Sequence, residues 1–205
     1  MEIEIVHATR ADAAAIAEVR TRAAEFLSEV HGGGPWSMHI SEGAVAETLA
    51  HPMTLVARAG KAVVGTLRLQ GHRPRSIEIA DFTPVRRPLY VVDVAVIPKG
   101  QRQGIGRALV EAAYREAIAW PGDSLRLDTY DDAAGAGDFY LRCGYRCVAR
   151  HRFHDIPLAF FERVIPVASR RRATSPATGT GCTTEPATDG GFPACSSEAN
   201  RSAPW

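Results

Sequence analysis

GQRQGIGRAL, residues 100–109, sets two glycines, Gly104 and Gly106, at the mouth of an apolar-periodic run. A helix start carries unpaired N–H groups and a partial positive charge, so acids belong in its first turn and cations do not. Here Lys99, Arg102 and Arg107 crowd the start, and the first acid downstream is Glu111. Those cations repel the helix dipole unless an anion sits among them and reverses the sign of the interaction. A phosphate meets that description, because unshielded main-chain N–H groups at a helix start form a ready anion site.

The flanks of this stretch decide the fold. LYVVDVAVI, residues 89–97, is a near-continuous β-branched run, the pattern of a strand buried on both faces, and Pro98 stops it. After the glycines, Ile105, Ala108, Leu109, Ala112 and Ala113 share one helical face until Pro121-Gly122 ends the run. SLRLDTY, residues 124–130, is the next strand, so the centre of the chain reads as one parallel strand-helix-strand crossover. Upstream, EIEIVHA alternates Ile3 and Ile5 with acids as a half-buried strand. A helix follows with Thr9 or Asp12 as its N-cap, and a shorter one begins after Ser41. TLVARAGKAVVGTLRLQG, residues 54–71, reads as a hairpin turning at Ala59-Gly60-Lys61. Pro74, Pro84 and Pro88 make residues 71–88 a long loop. Downstream, DFYLRC forms a short helix capped by Gly144, and YRCVARHRF and IPLAFFERVI are two further strands. This order specifies an α/β fold with a mixed, mostly antiparallel central sheet and flanking helices.

Length and composition narrow the function. The 205 residues have room for one ordinary domain and a tail. With 45% hydrophobic residues, 23% charged residues and a net charge of +1, the chain lacks the basic excess of a nucleic-acid binder. The first residues show neither the basic nor the apolar region of a secretion signal. No run approaches the ~18 apolar residues of a membrane span, so a cytoplasmic protein without a membrane partner is expected. Cys143, Cys147, Cys182 and Cys195 match no zinc spacing, so free or buried thiols and no metal are expected. From residue 168 the sequence turns to Ser, Thr, Pro, Gly and Ala without a period. The folded domain is therefore expected to span 1–167, with 168–205 a disordered tail.

Three glycine-rich loops occupy such a strand-to-helix junction. A Walker-type loop needs Gly-Lys followed by Ser or Thr, which is absent. A dinucleotide fingerprint takes Gly104 and Gly106, with Asp128 as the ribose acid. Yet Leu109 stands where a third glycine belongs, and three strands precede the motif instead of one. The third fits. Gln101-Arg102-Gln103-Gly104-Ile105-Gly106 resembles the [Arg/Gln]-x-x-Gly-x-[Gly/Ala] motif of the GCN5-related N-acetyltransferase (GNAT) family, preceded by an apolar strand with the shape VAV and a proline. FYLRCGY, residues 139–145, resembles that family's Phe-Tyr-x-x-x-Gly-[Phe/Tyr] block, and both motifs fall in order on the right elements.

The resemblance implies acetyl-coenzyme A as cosubstrate. Its phosphates would meet Gln101, Arg102, Gln103, Gly104, Ile105, Gly106 and Arg107, while its pantetheine arm would pair with Val94, Ala95 and Val96 as an added strand. One of those N–H groups would face the thioester carbonyl. Tyr140 matches the family's tyrosine and would act as general acid toward the leaving thiolate. The base is not identified: Asp93 and Tyr90 on the coenzyme strand, and Asp128 and Tyr130 on the next, are the candidates, with Asp93 put forward. The acceptor would be a small-molecule amine or a peptide or protein amine. It would be met by loops carrying His31, Trp36, Glu78, Asp81 and Phe82, whose rings and carboxylates suit a cation. Two positions depart from the pattern: Ala133 stands near a position where many members carry Asn, and Gln101 is uncharged. A non-catalytic acetyl-coenzyme A-binding regulatory module is the alternative, and the oligomeric state stays open.

Overall fold

The computed structural model describes residues 2–50, 53–167 and 169. The expected tail, with Cys182 and Cys195, lies outside the described residues apart from Ser169. Seven strands form one sheet: β1 (Glu4–His7), β2 (Thr54–Ala59), β3 (Ala62–Gln70), β4 (Pro88–Val96), β5 (Ser124–Tyr130), β6 (Arg146–Phe153) and β7 (Ile156–Val164). Their spatial order is β1-β2-β3-β4-β5-β7-β6, and only β4 and β5 run parallel. Four helices flank it: α1 (Ala13–His31), α2 (Glu42–Thr48), α3 (Ile105–Ala119) and α4 (Gly137–Arg142). A sheet with a single parallel pair is not the doubly wound sheet that binds dinucleotides, so that rival falls.

The two sheet faces bury different helices. Thr9 and Asp12 together start α1, because the Thr9 N–H and hydroxyl both donate to Asp12 Oδ2, at 2.8 and 3.0 Å. Arg58 of β2 grips the same carboxylate at 2.6 Å. Ala13, Ile16 and Ala17 then bury against Val45 of α2 and Val56 of β2. On the opposite face Ile105, Leu109, Val110 and Ala113 of α3 pack on Leu67, Leu89, Leu125 and Leu127. Each fully buried Val, Leu or Ile among them contributes about 1.5–3 kcal/mol.

Of residues 71–88, expected as a loop, Pro88 already opens β4, and 71–87 are irregular apart from one short 3-10 turn and tied down from below. Ile77 and Phe82 bury in a third cluster with Tyr90, Leu158 and Phe160. Fully buried Arg126 donates to the Thr83 carbonyl at 2.5 Å and pairs with fully buried Glu162 at 3.2 Å. The second Glu162 oxygen accepts from the Thr83 hydroxyl at 2.6 Å and from Arg146 at 2.8 Å.

Two irregularities position the site. β4 and β5 pair over only three residues each, Pro88 with Ser124, Leu89 with Leu125 and Tyr90 with Arg126. Beyond these the strands part, although β4 runs on to Val96 and β5 to Tyr130. On its other edge β4 carries a bulge: Val92 faces Arg68 and Ala95 faces Thr66, so Asp93 and Val94 share one place opposite Leu67. Asp93 adopts φ +56°, a left-handed conformation that Asp tolerates better than most residues.

Candidate active site at the β4–β5 gap

The wedge between β4 and β5 leaves one edge of β4 without a neighbour. Ile97 N–H bonds the Val64 carbonyl on β3 at 3.0 Å. Strand alternation then turns the main-chain groups of Ala95 toward β3 and those of Val94 and Val96 into the gap. Of the three residues expected to pair with a pantetheine arm, Val94 and Val96 therefore present main-chain groups there, and Ala95 does not. Gln101 Nε2 reaches the Val96 carbonyl at 3.4 Å, from the gap side.

β4 leads through a 3-10 turn, Pro98–Gly100, into the exposed segment 101–104 and then α3. Gly104 has φ +85° with nothing within 4 Å of where a Cβ would stand, so the main chain is bare and left-handed there. The first bond of α3 runs from the Ala108 N–H to the Gly104 carbonyl at 2.9 Å, which leaves the N–H groups of Ile105, Gly106 and Arg107 ahead of the ladder. The Ile105 side chain is core, and only its N–H belongs to this surface. Gln103 Nε2 donates to the Lys99 carbonyl at 2.7 Å and fastens the loop on itself. Arg102 and Arg107 are exposed beside it.

Gly106 has a different reason to be glycine. A Cβ there would lie 3.3 Å from Phe139 Cζ and 3.8 Å from Val96 Cγ2. The two sequence motifs thus meet at Gly106 and Phe139, and α4 is seated against the start of α3. Next to Phe139, Tyr140 is buried, with ring centroids 5.1 Å from Phe139, 5.7 Å from Tyr145 and 6.0 Å from Phe161. Burial first, then the charge of Asp128 and of Cys143, push its phenol far above the ordinary tyrosine value.

Asp93, put forward as base, is reassigned by its contacts. Its Oδ1 lies 2.7 Å from Arg20 of α1 and its Oδ2 lies 2.7 Å from Arg68 of β3. A carboxylate with both oxygens in guanidinium bonds, on the residue that forms the bulge, is a bracket between three elements and not a group open to take a proton. Tyr90, a second candidate, is buried in the third cluster.

On β5, Leu125 and Leu127 face α3, so alternation sends Arg126, Asp128 and Tyr130 to the α1 face. Burial raises Asp128, while a Ser76 hydrogen bond and its own backbone N–H offset this only in part; no cation contributes. Burial, followed by Asp128 and Asp132, raises the Tyr130 phenol in turn. Trp36, from the connection after α1, sets its ring edge-on to Tyr130 at 5.2 Å, and His31 lies 6.4 Å from Trp36. Other expected acceptor residues are engaged elsewhere: Phe82 lies buried under Arg126, Asp81 pairs with His151 at 3.0 Å, and Glu78 meets Arg73 at 3.8 Å. Sequence reasoning missed Ser76, Arg20 and Arg68, since nothing local marks a residue whose partner is remote.

The segment after β5, which lacks the expected Asn, is held by its own acids. Asp132 Oδ1 accepts the Ala134 N–H at 2.8 Å, Asp131 pairs with Arg150 at 3.1 Å, and Thr129 Oγ1 accepts the Ala136 N–H at 3.0 Å. A cavity of about 420 Å³ opens beside it and α4, and Tyr130 and Phe139 are among its walls. Among the described residues no group of three or more His, Cys, Asp or Glu side chains is set to hold a metal ion, and no helix is long and apolar enough to cross a membrane.

Comparisons with known proteins agree with this geometry. No match was found among curated protein sequences. Among solved structures, the chain is similar to a putative acetyltransferase, yncA, from Salmonella typhimurium, determined with its cofactor acetyl-CoA (TM-score 0.60, 20% identity, 80% of this chain and 95% of that one). It is also similar to the PaiA N-acetyltransferase of Thermoplasma acidophilum in complex with coenzyme A (TM-score 0.63, 15% identity, 80% and 100%). A third is the ribosomal-protein-S18-alanine N-acetyltransferase of Escherichia coli (TM-score 0.59, 19% identity, 80% and 94%). At these identities the likeness speaks for the fold. The family described as Acetyltransferase (GNAT) matches residues 19–145, more than half of the sequence, and the chain belongs to that family.

Proposed function

We propose that this chain is an N-acetyltransferase that moves the acetyl group of acetyl-coenzyme A to a primary amine by direct attack. The observation that carries the reading is a continuity: the unpaired edge of β4 leads into an exposed cationic loop whose helix-start N–H groups have no intrahelical partner. A diphosphate fits this loop, since the bare backbone at Gly104 admits close approach and Arg102 and Arg107 supply counter-charge. Each charge-assisted hydrogen bond there is worth about 1.5–3 kcal/mol. Gln101, Gln103, Ile105 and Gly106 serve by shaping the loop and presenting its main chain.

When bound, acetyl-coenzyme A supplies an acyl carbon activated as a thioester. The main-chain groups of Val94 and Val96 orient the arm along β4, and the Val94 N–H donates to the carbonyl oxygen as negative charge grows there. Tyr140 keeps its proton at neutral pH because burial opposes its ionisation, so it remains a hydrogen-bond donor to a thiolate of pKa about 8.5. The free thiols of Cys143 and Cys147 suit a reducing, cytoplasmic setting.

The test is thermal unfolding with acetyl-coenzyme A and, separately, NAD. Acetyl-coenzyme A at about 100 times its dissociation constant is expected to add roughly 2.7 kcal/mol of stability, and NAD none. Thiol release on addition of amines then separates an enzyme from a module that only binds. Absence of saturable binding to the folded chain would sink the proposal.

A further inference from the structure

Resting on the acetyltransferase reading, we infer that Asp128 receives the ammonium group of the acceptor and takes its first proton, with Tyr130 and Trp36 forming the aromatic wall of that subsite. Four observations converge. Asp128 stands on β5 two residues past the last β4–β5 pair, at the level where the strands have parted. It points to the α1 face, opposite the α3 face, so an acceptor enters from one side of the sheet while α3 flanks the other. The groups that act on it are the Ser76 hydroxyl and its own backbone, with no arginine or lysine among them, whereas Asp93 is clamped by two arginines. Its charge acts on Tyr130 of the same strand and on Tyr140 of α4, so both phenols lie within its electrostatic reach.

This environment selects for a cation. A desolvated carboxylate without a counter-ion is costly, and an ammonium from outside removes that cost. Tyr130, two residues along the same strand face, and Trp36, edge-on to it at 5.2 Å, add an aromatic surface that favours a primary amine on an apolar or aromatic stem. The titratable and charged groups facing this region are Tyr130 and Asp132 from β5 and its following turn, Tyr140 from α4, and the Asp93–Arg20–Arg68 bracket from β4, α1 and β3. The bracket sets two guanidiniums on one carboxylate and so carries one net positive charge, already engaged with Asp93.

The proton balance closes. Asp128 accepts one proton from the ammonium, freeing the nitrogen lone pair that forms the N–C bond. The C–S bond breaks with its electrons on sulfur, and Tyr140 gives sulfur a proton. The second nitrogen proton passes through water to restore Tyr140, and Asp128 returns its own to solvent, so one proton is released per turnover.

The test uses n-butylamine as probe and reads Asp128 directly. In protein labelled with ¹³C at the aspartate carboxyl carbons, the resonance lost in Asp128→Asn is assigned to Asp128. With coenzyme A present it should titrate above the ordinary aspartate value, shift saturably with n-butylamine, and move higher still in Ser76→Ala. A midpoint at or below the ordinary value, or no response to n-butylamine, overturns the inference. In turnover, Asp128→Asn should lower n-butylamine-dependent thiol release about 100-fold and abolish its acid limb, with acetyl-coenzyme A affinity unchanged and partial recovery in Asp128→Glu. Full activity with an unaltered pH profile overturns it as well. Loss of acetyl-coenzyme A binding in the wild type would instead refute the acetyltransferase reading, and the carboxyl titration would still report on Asp128.

Discussion

The two banks of the β4–β5 gap are built on different principles. Along β4 and the loop to α3, the groups offered are main-chain: the turned-out amides of Val94 and Val96, the bare backbone at Gly104, the leading N–H groups of α3. Along β5 the groups offered are side chains, Asp128 and Tyr130, with Trp36 and Ser76 brought in from segments far away in sequence. A site made of main chain depends on backbone shape and tolerates many side chains. A site made of side chains depends on whatever holds remote segments in place.

The largest effect is therefore expected beneath the β5 bank. Glu162→Ala strands the buried Arg126 and frees Thr83, and should lower stability by about 3–5 kcal/mol in urea unfolding. A loss below about 1 kcal/mol would mean that the 71–87 connection is held by its apolar contacts alone. The same carboxylate shapes the acid response. Burial raises Glu162 and Asp12, but their hydrogen bonds with Thr83 and Arg146, and with Thr9 and Arg58, prevail and hold both below their unfolded values of 4.5 and 3.8. The stability they contribute is complete above those values and is lost as pH falls through the lower folded ones. Unfolding free energies measured at successive pH should bend downward in that window, and less so in Glu162→Gln.

On catalysis, Tyr140→Phe should cut thiol release about 100-fold and leave acetyl-coenzyme A affinity within about twofold. Equal loss in both would show that the ring, and not the hydroxyl, matters. Gly106→Ala sets a methyl 3.3 Å from Phe139 Cζ, so its effect and that of Phe139→Leu should depart from additivity by about 0.5–3 kcal/mol. Strict additivity of the two changes, seen by chemical unfolding, would break the claimed contact between the motifs. Smallest is His151→Gln, which removes a partly exposed pair with Asp81 and should cost no more than about 1 kcal/mol. A larger loss would assign the stacking of His151 on Phe160, at 4.1 Å, a greater share in holding the connection.

This asymmetry explains what could be read in advance. The element order, the crossover, the capped starts of α1 and α2 and the glycine turn into α3 all follow from local periodicity and turn chemistry, so they were legible. The place of β7 between β5 and β6 was not read, although its apolar run Ile156–Phe161 beside the charge-rich Arg146–Phe153 marks an interior strand next to an edge. Gly106 was legible as a glycine but not for its reason, which is an aromatic ring more than thirty positions on. From sequence Asp93 reads as an open acid on the strand that leads to the glycine motif. Its two arginines belong to α1 and β3, and only the packed sheet shows that they neutralise it.

One consequence of the short β4–β5 pairing reaches past chemistry. Among the described residues three rungs are all the sheet pairing that joins the amino-terminal and carboxy-terminal halves, so the ladder is thinnest at the proposed site. A linear molecule lodged along the vacant margin of β4 does more than react: it acts as a splint across a mechanical fault line. Occupancy should then register in amide exchange at β5 and α4, well away from the phosphates, as a stiffening of the whole joint.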